Sequence, residues 1–387
     1  MTGSRQSVAV IGGAIMGSFC AYFLKRHGFP GRVLVFERDA TYQKSSTALC
    51  AGAIRTQFGC DFNARMSLFG AELFRNITDW FGPSADIGFE ERGYLILHTH
   101  GDGSEIVTQQ EALGCDVSAL NKSDLLQRFP WINTDGVACG TFGNRNEGWY
   151  DAWSLLGLVR NAAKSLGVEY VAADVSQICA DESRVTGVVL ADSSFVSADF
   201  VVNAAGPLSA KVLEGLAIRL PVVPKKRTVF NVETPLANET FPMLFDTSGV
   251  WIRPEGNAFI AGIAPDHSGD PDAEGDFEPD YYLFDEKLWP RLAERVPAME
   301  SLRMTGAWAG HYEINLLDHN GVVGPHDELS NLMFATGFSG HGLMHAPAVG
   351  RGISELICAG GFETLDLSPL EYSRITSNSP VKEFVTY

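Results

Sequence analysis

Positive charge is scarce in this chain. Against 47 aspartates and glutamates stand 29 lysines and arginines, a net charge of −18 over 387 residues. Nucleic acids and anionic membrane surfaces are bound by clustered cations, so neither is expected as a partner. Cysteine is sparse and unpatterned. The seven (Cys20, Cys50, Cys60, Cys115, Cys139, Cys179 and Cys358) are odd in number, and no pair has C-x-x-C spacing. Neither a zinc site nor a disulfide framework is indicated, no metal is expected, and reduced thiols in the cytoplasm are the simplest account. Long apolar runs are also missing. Residues 8–24 form an uncharged, mostly apolar stretch, but it falls short of the roughly 20 residues of a spanning helix. It contains Gly12, Gly13 and Gly17 and runs into Lys25 and Arg26, not into a small-residue cleavage site. There is no internal repeat and no low-complexity tract. Glycine, by contrast, is plentiful at 40 residues, which suits many turns and close approaches of backbone to a ligand.

The most informative segment begins at Val8. Val8-Ala-Val-Ile-Gly-Gly-Ala-Ile-Met-Gly17, then Val33-Leu-Val-Phe-Glu-Arg38, reads as buried strand, glycine turn, helix, and a second strand ending in a carboxylate. Gly12 permits the tight turn, and Gly17 lets helix pack closely on strand. Ala14 stands where a glycine usually lets backbone approach a pyrophosphate. The helix N-terminus offers free N–H groups and a positive dipole end to phosphate. Glu37 lies about 20 residues beyond the turn, the spacing of an acid that accepts ribose hydroxyls. An acid there suits FAD or NAD better than NADP.

Downstream, Ser45-Ser-Thr-Ala-Leu-Cys-Ala-Gly-Ala-Ile-Arg55 is small and polar and can lie flat against a planar ligand. An amphipathic helix is expected over 63–80, a strand over 91–98, a short helix over 121–129, and a helix over 153–166 ended by Gly167. Residues 176–179 and 184–190 suggest a meander. Phe195 to Gly206 reads as one buried strand ending in a small-residue turn, followed by a helix from Pro207. Residues 221–308 alternate in strand fashion, at 228–232, 250–253 and 259–263, and form a mixed or antiparallel sheet over a pocket. Residues 266–280 are acidic and read as an exposed loop. Leu332 to Gly342 is strand then glycine turn, leading to a helix over 343–358. The tail beyond Leu367 is polar and is expected on the surface.

In this order, the N-terminal turn with Glu37-Arg38, Ala51-Gly-Ala-Ile-Arg55, Val202-Asn-Ala-Ala-Gly206, Trp308-Ala-Gly-His-Tyr-Glu313 and Thr336-Gly-Phe-Ser-Gly-His-Gly342 resemble the D-amino-acid oxidase (DAO) superfamily of flavoproteins. The branch is that of sarcosine oxidase, glycine oxidase and dimethylglycine dehydrogenase. Trp308–Gly310 and Asn320–His326 are similar to segments of the FAD-dependent oxidoreductase domain-containing type within it. The resemblance spans almost the whole chain. It implies an α/β (α+β overall) fold: a Rossmann-like FAD-binding domain from 1–85, 145–220 and 310–387, and a mixed or antiparallel-sheet substrate domain from 86–144 and 221–309. It implies oxidation of the C–N bond of an amine or amino acid, N-methyl or other secondary amino acids favoured, with hydride passing to flavin N5 and the imine then hydrolysed.

By the resemblance, Gly12, Gly13, Ala14, Met16, Gly17, Glu37 and Arg38 hold the ADP half, with Val175 and Ala204, Ala205 and Gly206 on the adenine side. Ser46, Thr47, Ala51, Gly52 and Ala53 line pyrophosphate and ring. Gly310, Gly337, Phe338, Gly340, His341, Gly342, Leu343 and Met344 surround the flavin, with helix N–H groups facing its pyrimidine. Three departures follow. Met344 replaces the lysine that binds substrate carboxylate in monomeric sarcosine oxidases. Gly310 replaces their flavin-tethering cysteine, so FAD is expected to be non-covalent. The strand near Ile260–Gly262 lacks their oxygen-activating lysine. A dehydrogenase subunit using a partner subunit or another electron acceptor, and a flavin-binding assembly factor with little turnover, therefore stand as alternatives.

For chemistry, Arg55 either binds a carboxylate or ties the ring-side loop by a salt bridge. Arg253 is a second carboxylate candidate, or else a surface ion pair. Tyr312 and His311 can orient the amine or take its proton, or simply pack on the ring. His345 is a weak replacement for the missing lysine, because adjacent helix positions point about a quarter turn apart. Trp251 and Phe338 are read as apolar pocket walls, and Trp149 and Trp308 as core.

Overall fold

The computed structural model describes residues 6–265 and 270–383. Two sheets organise it. The first has six strands, in the spatial order Val322–Pro325, Leu332–Thr336, Phe200–Asn203, Ser7–Ile11, Arg32–Glu37 and Glu169–Ala172. All neighbours are parallel except the Val322–Pro325 edge. A parallel sheet must be covered on both faces. Here the helices Ile15–Arg26, Ala152–Ser165 and Gly342–Ala359 supply apolar residues to one core. The other face is covered by a three-stranded meander, Val175–Ala180, Val185–Leu190 and Phe195–Ser197. The Ile15–Arg26 and Gly342–Ala359 helices meet at Gly350, where a Cβ would lie 2.6 Å from the carbonyl carbon of Phe19.

The second sheet has eight strands and runs from Arg303–Asn315 through Val222–Glu233, Ala258–Ile263, Val250–Glu255, Met243–Phe245, Tyr94–His98 and Cys139–Gly143 to Val117–Leu120. Its pairings are antiparallel, save that Met243–Phe245 lies parallel to Tyr94–His98. It has its own core, which includes Phe230, Ile252, Phe259 and Leu292. A two-stranded ladder, Ala53–Ile54 with Gly148–Trp149, completes the sheets. This is the expected α/β arrangement with a second mixed sheet.

Several local expectations are corrected. The stretch from Phe195 is two strands in different sheets, Phe195–Ser197 and Phe200–Asn203. Between them the Asp199 carboxylate accepts from the Ser7 backbone and hydroxyl, which turns the chain into the parallel sheet. No α-helix follows Pro207; two 3₁₀ turns, Gly206–Leu208 and Lys211–Leu213, stand there. Gly206 sits at φ +58°, and the Ser209 hydroxyl folds back on its carbonyl. The helix expected over 63–80 is two, Asp61–Arg75 and Ile77–Phe81, broken at Asn76, whose side chain bonds the Glu72 carbonyl.

The tail, expected on the surface, is exposed only in part. Leu367, Leu370 and Tyr372 are buried. Arg374 pairs with Asp318 at 2.8 Å, and the Glu383 carboxylate accepts from the Gly59 and Cys60 backbones, capping the start of the Asp61–Arg75 helix. The acidic loop is not free either: beyond residues 266–269, which lie outside the described residues, Asp270, Asp272, Asp276 and Asp280 pair with Arg227, Lys225 and Lys226. Among the described residues no helix is long and apolar enough to cross a membrane.

Candidate functional site

At the carboxyl edge of the six-stranded sheet, three strand ends converge. The Gly12 amide donates to the Phe36 carbonyl at 2.9 Å, and Ala204 donates to Ile11 at 3.0 Å. Gly12 has φ +93°, and a Cβ there would lie 2.3 Å from the Ala204 oxygen. A Cβ on Gly17 would lie 1.9 Å from the Gly12 oxygen, so the helix touches the turn directly. The Glu37 carboxylate accepts from the Gly13 amide at 2.9 Å and from Asp39 at the same distance. It therefore stands beside the helix N-terminus, with Ala14 as N-cap and Met16 buried behind it. The Thr47 hydroxyl accepts from the Ile15 amide at 3.2 Å, which brings the small polar segment onto the same helix end. Ala205 and Gly206 follow in the adjoining turn, Arg38 is exposed, and Val175 is buried in the apolar core under the sheet. A helix N-terminus, a glycine cradle closed to any side chain, and a ribose-type acid are what an ADP moiety requires, and they fit FAD.

The second half of the site is built on the Gly337–Gly342 turn. Gly337 and Gly340 have φ +79° and +98°, and a Cβ on Gly340 would lie 2.5 Å from the Tyr312 ring. Glu313 holds this turn. Its carboxylate accepts from the Thr336 hydroxyl at 2.8 Å, its carbonyl accepts from Ser339, and a Cβ on Gly342 would lie 3.3 Å from it. Burial pushes the Glu313 carboxyl upward. Phe338, Leu343 and Met344 are buried. The Gly342–Ala359 helix starts here.

Arg55 is buried at this helix end. Its guanidinium donates to the Gln57 carbonyl at 2.6 Å, lies 3.1 Å from His341 Nε2, and sits 4.1 Å over the Phe58 ring. His341 and His345 flank the same ring, with centroids 5.0 and 5.3 Å away. Desolvation, then the Arg55 charge, holds His341 well below its ordinary value and His345 down to about 3. Both are neutral at physiological pH, and His345 Nε2 has no hydrogen-bond partner. Glu147, fully buried, was not anticipated. Its carboxylate accepts from the Thr56 amide and hydroxyl and from the Gln57 amide and side chain, which fixes the backbone next to Arg55. Burial raises its carboxyl. A sequence signal for it is absent: Glu147 looks like any acid in a turn.

A neutral buried histidine makes stability depend on acid. The unfolded His345 binds a proton near pH 6.5, the folded one only near 3. Stability is full above pH 6.5 and falls as pH drops from 6.5 toward 3. His345→Phe is therefore expected to lose less stability than the wild type between pH 6.5 and 4 in urea unfolding. An unchanged slope would remove His345 from that account.

A small cleft lies between the 46–51 segment and the eight-stranded sheet, lined by Ser46, Ala51, Arg227, Trp251, Gly310 and Tyr312 among others. Burial raises the Tyr312 hydroxyl above its ordinary value despite the Arg227 charge, so it stays protonated. His311 lines the cleft, but its ring stacks on Phe277 at 4.2 Å with Nε2 2.6 Å from the Asp276 carbonyl. That ring is turned to the acidic loop and away from Arg55. The His311 carbonyl accepts from the Ser46 hydroxyl at 2.7 Å. Arg227, also unanticipated, lies 5.4 Å over the Tyr312 ring and pairs with Asp270. Arg253 is not in this cleft. Its Nε donates to the Ala51 carbonyl at 2.8 Å and its Nη1 pairs with Glu255, so it braces the segment that leads through Gly52 and Ala53 to Arg55.

The comparisons agree with this geometry. The family model described as "DAO: FAD dependent oxidoreductase" matches residues 7–356. The chain is 42% identical to FAD-dependent oxidoreductase domain-containing protein 1 of Xenopus laevis, over 98% of this chain and 84% of that one. It is 24% identical to glycine oxidase of Bacillus subtilis strain 168, over 90% and 92%. The L-proline dehydrogenase structure from P. horikoshii superposes with a TM-score of 0.83 at 23% identity, covering 98% of this chain and all of that one. Sequence, fold and cradle coincide: the chain belongs to the DAO family of FAD-dependent oxidoreductases.

Proposed function

We propose that this protein oxidises the C–N bond of a small amino acid or amine, secondary amino acids such as N-methyl amino acids being favoured, with non-covalent FAD. One observation carries the reading. Arg55 and Tyr312 flank a single glycine turn, Arg55 through His341 and Tyr312 through Gly340, so a carboxylate binder and a hydroxyl donor stand at the start of the same helix. The similarity to glycine oxidase supports an amino-acid substrate. In this reading the FAD-binding part is 1–85, 145–220 and 310–387, and the substrate part is 86–144 and 221–309. The seven cysteines are all free, which supports a cytoplasmic location.

Bound FAD supplies the acceptor for the hydride leaving the carbon next to nitrogen. The chain's residues do the rest. Arg55, held against Phe58, receives a carboxylate with paired N–H donors. Neutral His341 takes one of its contacts without adding a competing positive charge. Tyr312 donates its hydroxyl hydrogen bond toward the substrate, and Trp251 closes the cleft on an apolar side. The Gly342 helix end would present N–H groups to the flavin and would offset negative charge on it.

The protein is expected to purify yellow, and anaerobic addition of sarcosine, proline, N-methylalanine or another secondary amino acid is expected to bleach it. No bleaching across such a panel would overturn this function and favour an assembly role. Non-covalent attachment has a structural support: a Cβ on Gly310 would lie 2.8 Å from Leu49 Cβ, so the position leaves no room for a tethering side chain. Acid precipitation is expected to release all the flavin into the supernatant; a yellow pellet would disprove it.

A further inference from the structure

Glu313 does more than hold the Gly337–Gly342 turn. Its carboxylate stands between two turns. Oε2 lies 3.8 Å from the place of a Cβ on Gly206, and Oε1 lies 3.3 Å from that of a Cβ on Gly342. Thr336 joins the two: its hydroxyl donates to Glu313 Oε2 at 2.8 Å and lies 3.3 Å from the Gly206 carbonyl. Gly206 follows the strand ends that form the ADP cradle, and Gly342 opens the helix assigned to the flavin. A carboxylate between them stands toward the middle of the cofactor, its dianionic pyrophosphate and ribityl chain.

The carboxylate also borders open space. Among the described residues, and apart from chain neighbours, Glu313 alone comes within 4 Å of a Cβ on Gly206. Glu313, Gly206 and Gly342 are partly exposed, whereas Ser209, Thr336 and Phe338 around them are buried. This opening is not the small cleft, which is lined by Tyr312, the strand neighbour whose side chain points to the opposite face.

No cation compensates a charge there. Burial raises the Glu313 carboxyl, opposed only by hydrogen bonds from the Gly337 amide, the Thr336 hydroxyl and the Phe338 amide. The titratable groups on the surrounding elements are engaged elsewhere. Lys225 pairs with Asp272, Lys211 with Glu274, and His341 faces Arg55. On its own strand His311 stacks on Phe277, and Tyr312 lies against Gly340. Glu37, the other acid of the cradle, accepts from the Gly13 and Asp39 amides. A further negative charge beside a dianionic pyrophosphate is costly where water is scarce. It would also compete for the helix N-termini at Ile15 and Gly342.

We propose that Glu313 is an FAD-binding residue that works as a neutral carboxylic acid, taking up one proton from solvent as the cofactor binds and presenting its O–H to it. The oxygen that accepts from Thr336 stays an acceptor, so the turn remains held. The inference concerns the family's cofactor and stands whichever amine is oxidised.

The test is titration calorimetry of FAD into the whole chain freed of flavin, from about pH 5 to pH 9. The loaded carboxyl keeps its proton to a higher pH than the flavin-free one. Affinity is therefore expected to be strongest in acid and to weaken, by up to about tenfold per pH unit, above the ordinary carboxyl value of 4.5. Heats in buffers of different ionisation enthalpy should show net proton uptake over the same range. Glu313→Gln keeps the shape and a donor but has no proton to lose. Its FAD affinity should hardly change with pH and should exceed that of the wild type by about fivefold or more at the alkaline end. The infrared spectrum of the FAD-loaded wild type should show the carbonyl band of a neutral carboxylic acid, and the Gln variant should lack it. Proton uptake and this band are read on the wild type, so they decide the matter even if the variant folds poorly. Wild-type affinity independent of pH, no proton uptake, or a Gln variant that follows the wild-type pH dependence would each overturn the proposal. So would weaker FAD binding by the folded Gln variant at every pH, which would make Glu313 a charged acceptor for a ribityl hydroxyl. The amine reading fails separately, if FAD binds as described and no amine bleaches it.

Discussion

Gly12→Ala is expected to yield protein with less than about a tenth of the wild-type FAD content. Two independent effects act at this position. A φ of +93° costs an L-residue about 1–2 kcal/mol. The new Cβ would also meet the Ala204 oxygen at 2.3 Å, and neither partner is the far end of a flexible side chain. Relief requires the first strand to move away from the Phe200–Asn203 strand, at a further cost of about 1–3 kcal/mol by analogy with overpacked cores. That movement would open the cradle proposed for the pyrophosphate. Gly28→Ala is the control. It has φ +81° but nothing within 4 Å of a Cβ, so it carries the strain without the collision. It should keep its FAD and lose only about 1 kcal/mol. FAD absorbance per protein, with circular dichroism to establish folding, reads both. Full FAD occupancy in folded Gly12→Ala would show that the turn is not the phosphate cradle.

The ADP half of the site was legible because its signals are local. Gly12, Gly17 and Glu37 lie within one strand–helix–strand unit, and each spacing has a single geometric meaning. The flavin-ring half was legible only through the resemblance, since residues 46–55, 308–313 and 336–344 meet by tertiary folding. The Ala14 departure proved compatible with the turn: it is the N-cap, and Thr47 approaches the next amide. Glu147 was invisible for a physical reason. Its burial depends on Gly143, where a Cβ would lie 1.9 Å from the Glu147 carboxylate, and nothing in either residue's neighbourhood announces that pairing. The described part of the acidic segment is the loop expected; its ion pairs were not foreseen because the partners, Lys225, Lys226 and Arg227, lie about 45 residues earlier in the chain. The tail was misread by averaging: Leu367, Leu370 and Tyr372 are few among polar neighbours, yet they are the ones buried. Arg253 illustrates a subtler limit. Its position at a strand end suggested a substrate contact, whereas its guanidinium is occupied by Ala51, Pro254 and Glu255.

Arg55→Ala is expected to slow anaerobic bleaching by a carboxylate-bearing amine on the order of 100-fold while FAD content stays near wild type. The magnitude follows from removing one partner of a buried charge pair, about 2–5 kcal/mol, of which part is recovered if water enters the vacated space. The loss should be specific to the carboxylate. An amine lacking one, if it bleaches the flavin at all, should be affected only a few-fold, since it never used the guanidinium. Arg55→Lys should recover little. A lysine cannot contact the Gln57 carbonyl, His341 and a carboxylate with one planar fork, and it gives up the flat stacking on Phe58. Glu147→Gln tests the support beneath. It keeps the shape and can keep one oxygen on the Thr56 and Gln57 amides, but it puts an NH2 donor where Oε2 accepts from the Gln57 side chain. It should lower the rate less than Arg55→Ala and do so with a raised half-saturation for the amine, because the arginine is displaced but not removed. If Arg55→Ala instead lowered FAD content and bleaching together, the arginine would be a brace for the ring-side loop, and the carboxylate would have to be sought at Arg227, the other cation bordering the cleft.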